Sequence, residues 1–228
     1  MYKFLFLFML FITYSIIGWV MELITVSIER RKIVKNRGFF IGPYCPIYGF
    51  SSILMIFFLR QYEDDPWVLF VMALLLCTTV EYLTSLIMEK IFKIRWWDYS
   101  HMKFNLNGRV CLTNSVLFGA LGLFLIHVLN PFVIGRFTQI PTNIFTIVAV
   151  IVLVIFISDV IVSLEIICRL KVTADNLRKD YTEEITKKVK DILGKKSYLS
   201  RRLFESFPGF KIISTISKKI KPKKKPTH

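Results

Sequence analysis

The sequence lacks the residue patterns that build metal sites, disulfide frameworks and hydrolytic centres. It has four cysteines and three histidines among 228 residues, and none of them lie at C-x-x-C or Cys/His metal-binding spacing. The cysteines are interpreted as free thiols in or near a membrane: Cys45, Cys77, Cys111 and Cys168. There is no G-x-x-x-x-G-K-[S/T] phosphate loop, so any ATPase would be a separate chain. With no recognisable nucleophile–base spacing either, we expect no cofactor, no metal and no catalytic residues.

What the chain does contain is apolar sequence. Apolar residues make up 54% of it and the mean hydropathy is +0.53, against about 45–50% apolar residues in soluble domains. A membrane span needs about 20 mostly apolar residues. Five runs meet this length rule, roughly: 4–28, 44–60, 67–91, 112–130 and 141–168. The first is too long for a signal peptide and lacks a small-residue cleavage site. These runs predict an all-α, polytopic transmembrane helix bundle with about five spans over residues 1–168.

Basic residues predict the orientation of the bundle. Of the 31 Lys and Arg residues, 28 lie in the loops after runs one and three or in the C-terminal tail. The opposite side receives only Lys3, Arg60 and Arg136, together with the acidic turn 63–65. Because cytoplasmic loops are enriched in Lys and Arg, we expect a multi-pass cell-membrane protein with its N-terminus outside and its C-terminus in the cytoplasm.

The tail, residues 169–228, carries 18 Lys or Arg and 6 Asp or Glu. Helical spacing of apolar residues predicts a helix over 175–193. Polybasic segments beside a membrane attract anionic lipid with about 1 kcal/mol per charge. The tail has no nucleic-acid-binding motif, so we expect anionic lipid and not nucleic acid as its partner.

Residues 36–49, NRGFFIGPYCPIYG, separate the first two runs and are dense in residues that bend the backbone. These are Gly38, Gly42, Pro43, Pro46 and Gly49. The stretch is apolar where a simple loop would be polar. Non-helical backbone at membrane depth occurs only where it is buried in protein or lines a wet cavity. We therefore predict that this stretch re-enters the bundle and lines a polar cavity.

Ionisable residues inside spans are costly and indicate function by default. Trp19 and Glu22 share one stripe of the first span, while Glu81 lies deep in the third. Arg37 and Arg109 are the nearest cations in sequence, and we expect each acid to have an arginine within reach. The four charged residues would form a polar seam that binds a substrate or an ion. The alternative is that they only hold helices together.

A short internal repeat is predicted. E-x-x-T occurs at 22–25 and 81–84, and each copy precedes a basic loop with an Asn/Gly/Arg cluster, at 36–38 and 107–109. A cysteine and a return span follow each cluster. Because spans one and three run in the same direction, the pattern indicates two parallel hairpins, with the fifth span added.

The connector 95–107, RWWDYSHMKFNLN, carries interface-type aromatics. We expect it to lie flat at the headgroup level as a short amphipathic segment. In a second interpretation of function, Asp98, Asn107 and Arg109 would hold a phosphate-bearing lipid there.

Several motifs together resemble one known family. They are G-W-x-x-E at 18–22, N-R-G-x-x-x-G-P-x-C-P-x-Y-G at 36–49, E-x7-E at 81–89, R-x-W-D-Y-S at 95–100 and N-x-x-G-x-x-C at 105–111. Residues 15 to about 122 resemble the bacterial putative ABC-transporter type IV integral membrane family. Cys45 and Tyr48 belong to the second of these motifs. The resemblance implies a permease subunit, which would need a homodimer or a separate ATPase subunit to build a pathway. A lipid-handling protein or enzyme and a membrane scaffold are the alternatives.

Overall fold

The computed structural model describes residues 2–29, 31–34, 36–92, 94–177 and 211–212, and most of its regular structure is helical. The α-helices are α1 (Tyr2–Glu29), α2 (Pro46–Leu59), α3 (Pro66–Phe92), α4 (Leu112–Phe124), α5 (Asn130–Thr138) and α6 (Thr142–Leu177). A 3-10 turn, Arg60–Tyr62, follows α2, and a π-helical turn, Leu125–Leu129, joins α4 to α5. The predicted all-α helical bundle is confirmed.

Within the described residues, four helical stretches are long and apolar enough to cross a membrane: Tyr2–Ile28, Pro66–Phe92, Leu112–Thr138 and Thr142–Cys168. The chain is therefore a multi-pass membrane protein. The remaining helix, α2, has 14 residues, or about 21 Å at 1.5 Å per residue, which is shorter than the ~30 Å hydrocarbon core. The count of five spans stays a prediction, because α2 crosses the membrane only if neighbouring residues add the length that it lacks.

The bundle is built from two helical hairpins. In the first, α1 packs against α2; in the second, α3 packs against α4, and α2 joins the two hairpins by packing against α3. Both hairpin connections, described at 31–34 with 36–45 and at 94–111, lie at the same end, which we call the loop end. The helices approach closely where residues are small, as where Gly122 meets Ala73, which is typical of membrane bundles.

The sixth helix lies at the edge of the bundle. It contacts α1 through Phe145 and Ala149, which pack on Leu5. Much of the rest of α6 exposes apolar side chains, including Ile147 and Ile155. An apolar outer face of this kind suits contact with lipid chains.

The connector of the second hairpin ends in a small ribbon, and its position at the headgroup level stays a prediction. Its residues Asn105–Leu106 and Val110–Cys111 (β2 and β3) pair as a small antiparallel ribbon. Asn107 and Gly108 form its turn, with φ of 54° and 67°. The Asn-Gly dipeptide favours this left-handed turn and folds the connector back on itself.

Part of the basic tail is described. Helix α6 extends through Leu177, and Lys211–Ile212 (β4) pairs antiparallel with Ile94–Arg95 (β1). Residues 178–210 and 213–228 lie outside the described residues, so most of the helix predicted over 175–193 does as well.

Candidate functional site

The connection between α1 and α2 turns back into the bundle, and we call residues 36–45 the re-entrant segment. The Cys45 amide donates to the Ser15 carbonyl at 2.9 Å, and the Trp19 indole nitrogen donates to the Arg37 carbonyl at 2.8 Å. Ser15 lies 14 residues before the end of α1 at Glu29, which is about 21 Å of helix. The segment therefore runs back along α1, as its glycines and prolines predicted.

Helix α2 consequently starts deep in the bundle. Cys45 precedes it in extended conformation and Pro46 occupies its first turn, where a missing N–H costs nothing. Gly38 has φ of +97°, a backbone conformation that favours glycine. Pro43 lies in the bend before Cys45. These residues thus have structural reasons to be where they are.

Two glycines let α1 and α2 approach each other closely. A methyl group at Gly18 would overlap the Tyr48 ring. A methyl group at Gly49 would overlap the Ser15 hydroxyl oxygen and the Phe11 carbonyl oxygen. The close approach fixes the position of Tyr48 relative to the polar face of α1.

An aspartate on α6 anchors the re-entrant segment, and sequence reasoning did not assign it this role. Asp159 accepts hydrogen bonds from the Ile41 amide at 2.9 Å, the Gly42 amide at 2.6 Å and the Tyr44 hydroxyl. Ser163, one turn further along α6, donates to it at 2.7 Å. Amides at membrane depth need an acceptor inside the protein, and Asp159 supplies it. The available signal was an aspartate in an apolar span, four residues before a serine.

Glu22 forms the ion pair predicted for the first hairpin. Its Oε2 accepts from Arg37 Nε at 3.0 Å, and its Oε1 accepts from the Tyr48 hydroxyl at 3.3 Å. The two charged side chains are 29% and 17% exposed. The Glu22 charge is therefore balanced by a cation from the re-entrant segment.

Glu81 has a different environment. It is only 7% exposed, and its Oε1 accepts from the Tyr99 hydroxyl at 3.3 Å. Its Oε2 is buried and has no hydrogen-bond partner among the described residues. The arginine expected within reach of Glu81, from its own hairpin or the other, is not among its partners in the described residues, and Arg109 contacts Glu89 instead.

Glu89, eight residues after Glu81, holds both arginines of the second connection. Its Oε2 lies 3.0 Å from Arg95 Nη2 and 3.0 Å from Arg109 Nη2. Arg109 also lies over the Tyr82 ring, 5.5 Å from its centroid. Arg109 lies in the turn of the ribbon, between β2 and β3, and from there it reaches the last turn of α3 and not the deeper Glu81.

The other polar residues of the connection also have internal contacts. The Asp98 carboxylate accepts from the Ser100 amide at 3.0 Å and lies 3.9 Å from Arg95 Nη1. The Asn107 amide nitrogen donates to the Tyr82 hydroxyl at 3.0 Å. The structure thus brings Asp98, Asn107 and Arg109 into one folded ribbon.

Glu22, Tyr48, Glu81 and Tyr99 form one group, which we call the glutamate–tyrosine cluster. Each glutamate accepts a hydrogen bond from one tyrosine. Burial, followed by the charges of Glu81 and Glu22, raises the pKa of Tyr99 above its ordinary value. Tyr99 therefore stays protonated and remains a donor. The cluster brings together two of the predicted site acids, one from each hairpin.

The described residues contain no group of three or more His, Cys, Asp or Glu side chains that could hold a metal ion. What the cluster can do is bind positive charge, since it offers one buried carboxylate oxygen without a donor. It can also exchange a proton through hydroxyl groups. Among the residues predicted for the seam, Glu22 and Glu81 belong to the cluster and Arg37 pairs with Glu22, while Arg109 pairs with Glu89.

Comparison with known proteins gives one match. No curated protein and no solved structure matches the chain. A family model does match it over residues 9–164, which include both hairpins, the re-entrant segment and most of α6. This chain therefore belongs to the family described as putative ABC-transporter type IV.

Proposed function

We propose that this protein is a permease-like transport subunit and that the glutamate–tyrosine cluster lies on its transport path. The supporting observation is the Glu81 carboxylate, which is 7% exposed inside an apolar bundle and has one oxygen without a partner. Buried ionisable groups in membrane helices characteristically mark ion and substrate pathways. A group that only held helices together would have both oxygens paired, as Glu22 does.

The re-entrant segment adds support. It places irregular backbone and the start of α2 beside the middle of α1. Transporters build their binding sites from discontinuous helices of this kind, near the interface between repeats. In our proposal the two hairpins form such a pair, with the cluster at their contact.

The path opens toward the loop end, and we propose that the loop end is cytoplasmic. The basic residues of both connections and of the tail support this orientation. The sequence contains no phosphate loop, so energy from ATP would come from a separate ATPase subunit. A second copy of the chain would enlarge a bundle that is small for a complete permease.

The ribbon at Asp98, Asn107 and Arg109 provides less support for a site that binds a phosphate-bearing lipid. Arg109 is 8% exposed and pairs with Glu89 at 3.0 Å. A phosphate would have to displace that carboxylate. The transport proposal needs no such displacement.

Thiol labelling tests the path. In a variant whose four native cysteines are replaced, Ser85→Cys places a thiol one turn from Glu81 on the same buried face of α3. Leu83→Cys is the matched control, because Leu83 is 47% exposed on the outer face of the same helix. A membrane-impermeant reagent needs water and a thiolate.

We expect Ser85→Cys to react, and only when the reagent has access to the cytoplasmic side, while Leu83→Cys stays unlabelled in lipid. Asp64→Cys, in the exposed turn between the hairpins, should react from outside intact cells. Absence of labelling at Ser85→Cys from both sides, with Asp64→Cys labelled, would contradict an aqueous path along this face.

A further inference from the structure

Glu81 differs from Glu22, Glu89 and Asp159 in the partners that its carboxylate has. Glu22 pairs with Arg37, and Glu89 pairs with Arg95 and Arg109. Asp159 accepts four hydrogen bonds, two of them from backbone amides. Glu81 receives one hydroxyl donor on Oε1 and nothing on Oε2 among the described residues.

An ionised carboxylate in this position would be strongly disfavoured. Moving a charge out of water is costly unless it is paired and hydrogen-bonded, and in practice such a group takes up a proton. The nearby arginines cannot serve as the partner without abandoning Glu89, whose side chain is 18% exposed. Arg95 and Arg109 pair with Glu89, and Arg95 also lies 3.9 Å from Asp98, so neither arginine of the second connection pairs with Glu81.

The groups that face Glu81 have opposing effects, because the hydrogen bond from Tyr99 stabilises an ionised carboxylate. Glu22 on α1 acts on it with a negative charge, which opposes a second negative charge nearby. Tyr99 from the connection and Cys77 on its own helix also lie close to it. Tyr48 and Cys111 belong to the same surroundings through Glu22 and Tyr99.

A proton also fits the geometry better than a metal ion does. Hard cations such as Mg²⁺ and Ca²⁺ take six or more oxygen ligands. Glu81 offers one open oxygen, and no metal-binding group of three acidic, His or Cys side chains exists in the described parts of the chain. A proton needs only a single lone pair.

We infer that Glu81 is a proton-binding site and that transport by this protein is coupled to its protonation. The inference rests on the proposed function for its coupling role. A proton from water at the loop end forms an O–H bond at Glu81 Oε2, and the carboxylate becomes a neutral carboxylic acid. The same bond breaks when the proton is released to water. Tyr99, which lies in the half-exposed connection and donates to Oε1, is the group through which Glu81 faces the loop end.

Infrared spectroscopy of the purified full-length protein in detergent tests the site directly. The wild type is expected to show the carbonyl absorption of a protonated carboxylic acid at neutral pH, and this band should fade as the pH is raised. Glu81→Gln, which keeps the size of the side chain, should lose the band. Glu22→Gln should retain it, because the Glu22 carboxylate forms an ion pair with Arg37 and is not the proposed site. A wild type without the band, or a band that persists in Glu81→Gln, would overturn the inference.

Thermal unfolding gives a second measurement that needs no transport assay. In the unfolded chain a glutamate loses its proton near pH 4.3. In the folded protein we propose that Glu81 keeps its proton to a higher pH. Between these two pH values the folded state binds one proton more than the unfolded state. Stability then falls as the pH rises through that window. The unfolding midpoint should decrease with pH in the wild type and decrease less in Glu81→Gln. Identical slopes would refute the proton site.

The two tests separate the two claims. If Glu81 is protonated but Ser85→Cys is never labelled, the proton site is supported and the transport path is contradicted. If Ser85→Cys is labelled but no carboxylic acid band is seen, the transport path is supported and the proton site is contradicted.

Discussion

The anchoring of the re-entrant segment by Asp159 can be tested with a single substitution. Asp159→Asn keeps the size and one acceptor oxygen of the side chain but replaces the other oxygen with an NH2 group. That group would face donors: the carboxylate now accepts from the amides of Ile41 and Gly42, and from the hydroxyl of Tyr44. At least one amide would lose its acceptor, and a second bond would weaken with the loss of charge.

The expected loss of stability in Asp159→Asn follows from the two hydrogen bonds to the ionised carboxylate that are lost or weakened. Hydrogen bonds of that type contribute about 1.5–3 kcal/mol each, which gives about 3–6 kcal/mol for two. Polar contacts inside membrane bundles are nearer ~0.6 kcal/mol on average. We expect a loss of about 2–4 kcal/mol, between these limits. For a chain of this size the loss corresponds to a decrease in unfolding midpoint of roughly 5–15 °C.

The assay combines thermal unfolding in detergent with thiol labelling of Cys45, in a background where the other three cysteines are replaced. Cys45 is the last residue of the segment and is 8% exposed, so release of the segment should raise its labelling rate. Asp64→Asn is the control, since it makes the same chemical change in an exposed turn and should shift stability by no more than about 0.5 kcal/mol. Unchanged stability together with unchanged labelling of Cys45 in Asp159→Asn would refute the anchoring role.

Three further predictions use other contacts. Gly49→Ala should destabilise the protein by about 1–3 kcal/mol, because the added methyl group would overlap the backbone of α1. Gly135→Ala, whose methyl group would meet nothing within 4 Å, should stabilise it by about 0.4–1 kcal/mol. Thermal unfolding of both variants measures the difference, and equal effects would contradict the close approach of α1 and α2. Arg37→Gln should lower the unfolding midpoint by leaving Glu22 without its cation, and adding Glu22→Gln should recover part of the loss; no recovery in the double variant would argue against the pair. Full-length protein should bind anionic vesicles through residues 169–228 more tightly than neutral ones, and added salt should weaken this binding in a flotation assay; equal binding to neutral vesicles would exclude charge as the cause.

Sequence reasoning was most successful where local chemistry limits the backbone. The density of Gly and Pro in residues 36–49 predicted irregular backbone entering the bundle, and the hydrogen bond from Cys45 to Ser15 agrees with it. The apolar runs predicted a helical membrane bundle because length and hydropathy are properties of each segment alone. The pairing of Glu22 with Arg37, 15 residues apart, was also within reach of sequence.

Sequence reasoning failed for contacts between residues that are far apart in the sequence or that depend on the geometry of a turn. Asp159 meets the re-entrant segment across 117 to 118 residues, and nothing in a single sequence indicates which distant helix supplies an acceptor. An arginine was expected within reach of Glu81, but the turn at Asn107 sets how far Arg109 reaches, and Glu89 lies closer to it. That Asn-Gly pair is itself a hairpin signal, which the interpretation of the connector as an amphipathic segment did not include.

The hydrogen bonds to Asp159 also have a consequence for the order of assembly during synthesis. The amide of Ile41 precedes its acceptor by 118 residues, which a ribosome adding 5–20 residues per second takes about 6–24 s to translate. Through this interval α1 and α2 can already be in the membrane, while the amides of the re-entrant segment have no partner. In lipid each such group costs several kcal/mol. We therefore expect the segment to wait at the water-facing surface and to enter only after α6 has been inserted, so that a nascent chain ending before Asp159 contains both flanking helices but not the re-entrant turn.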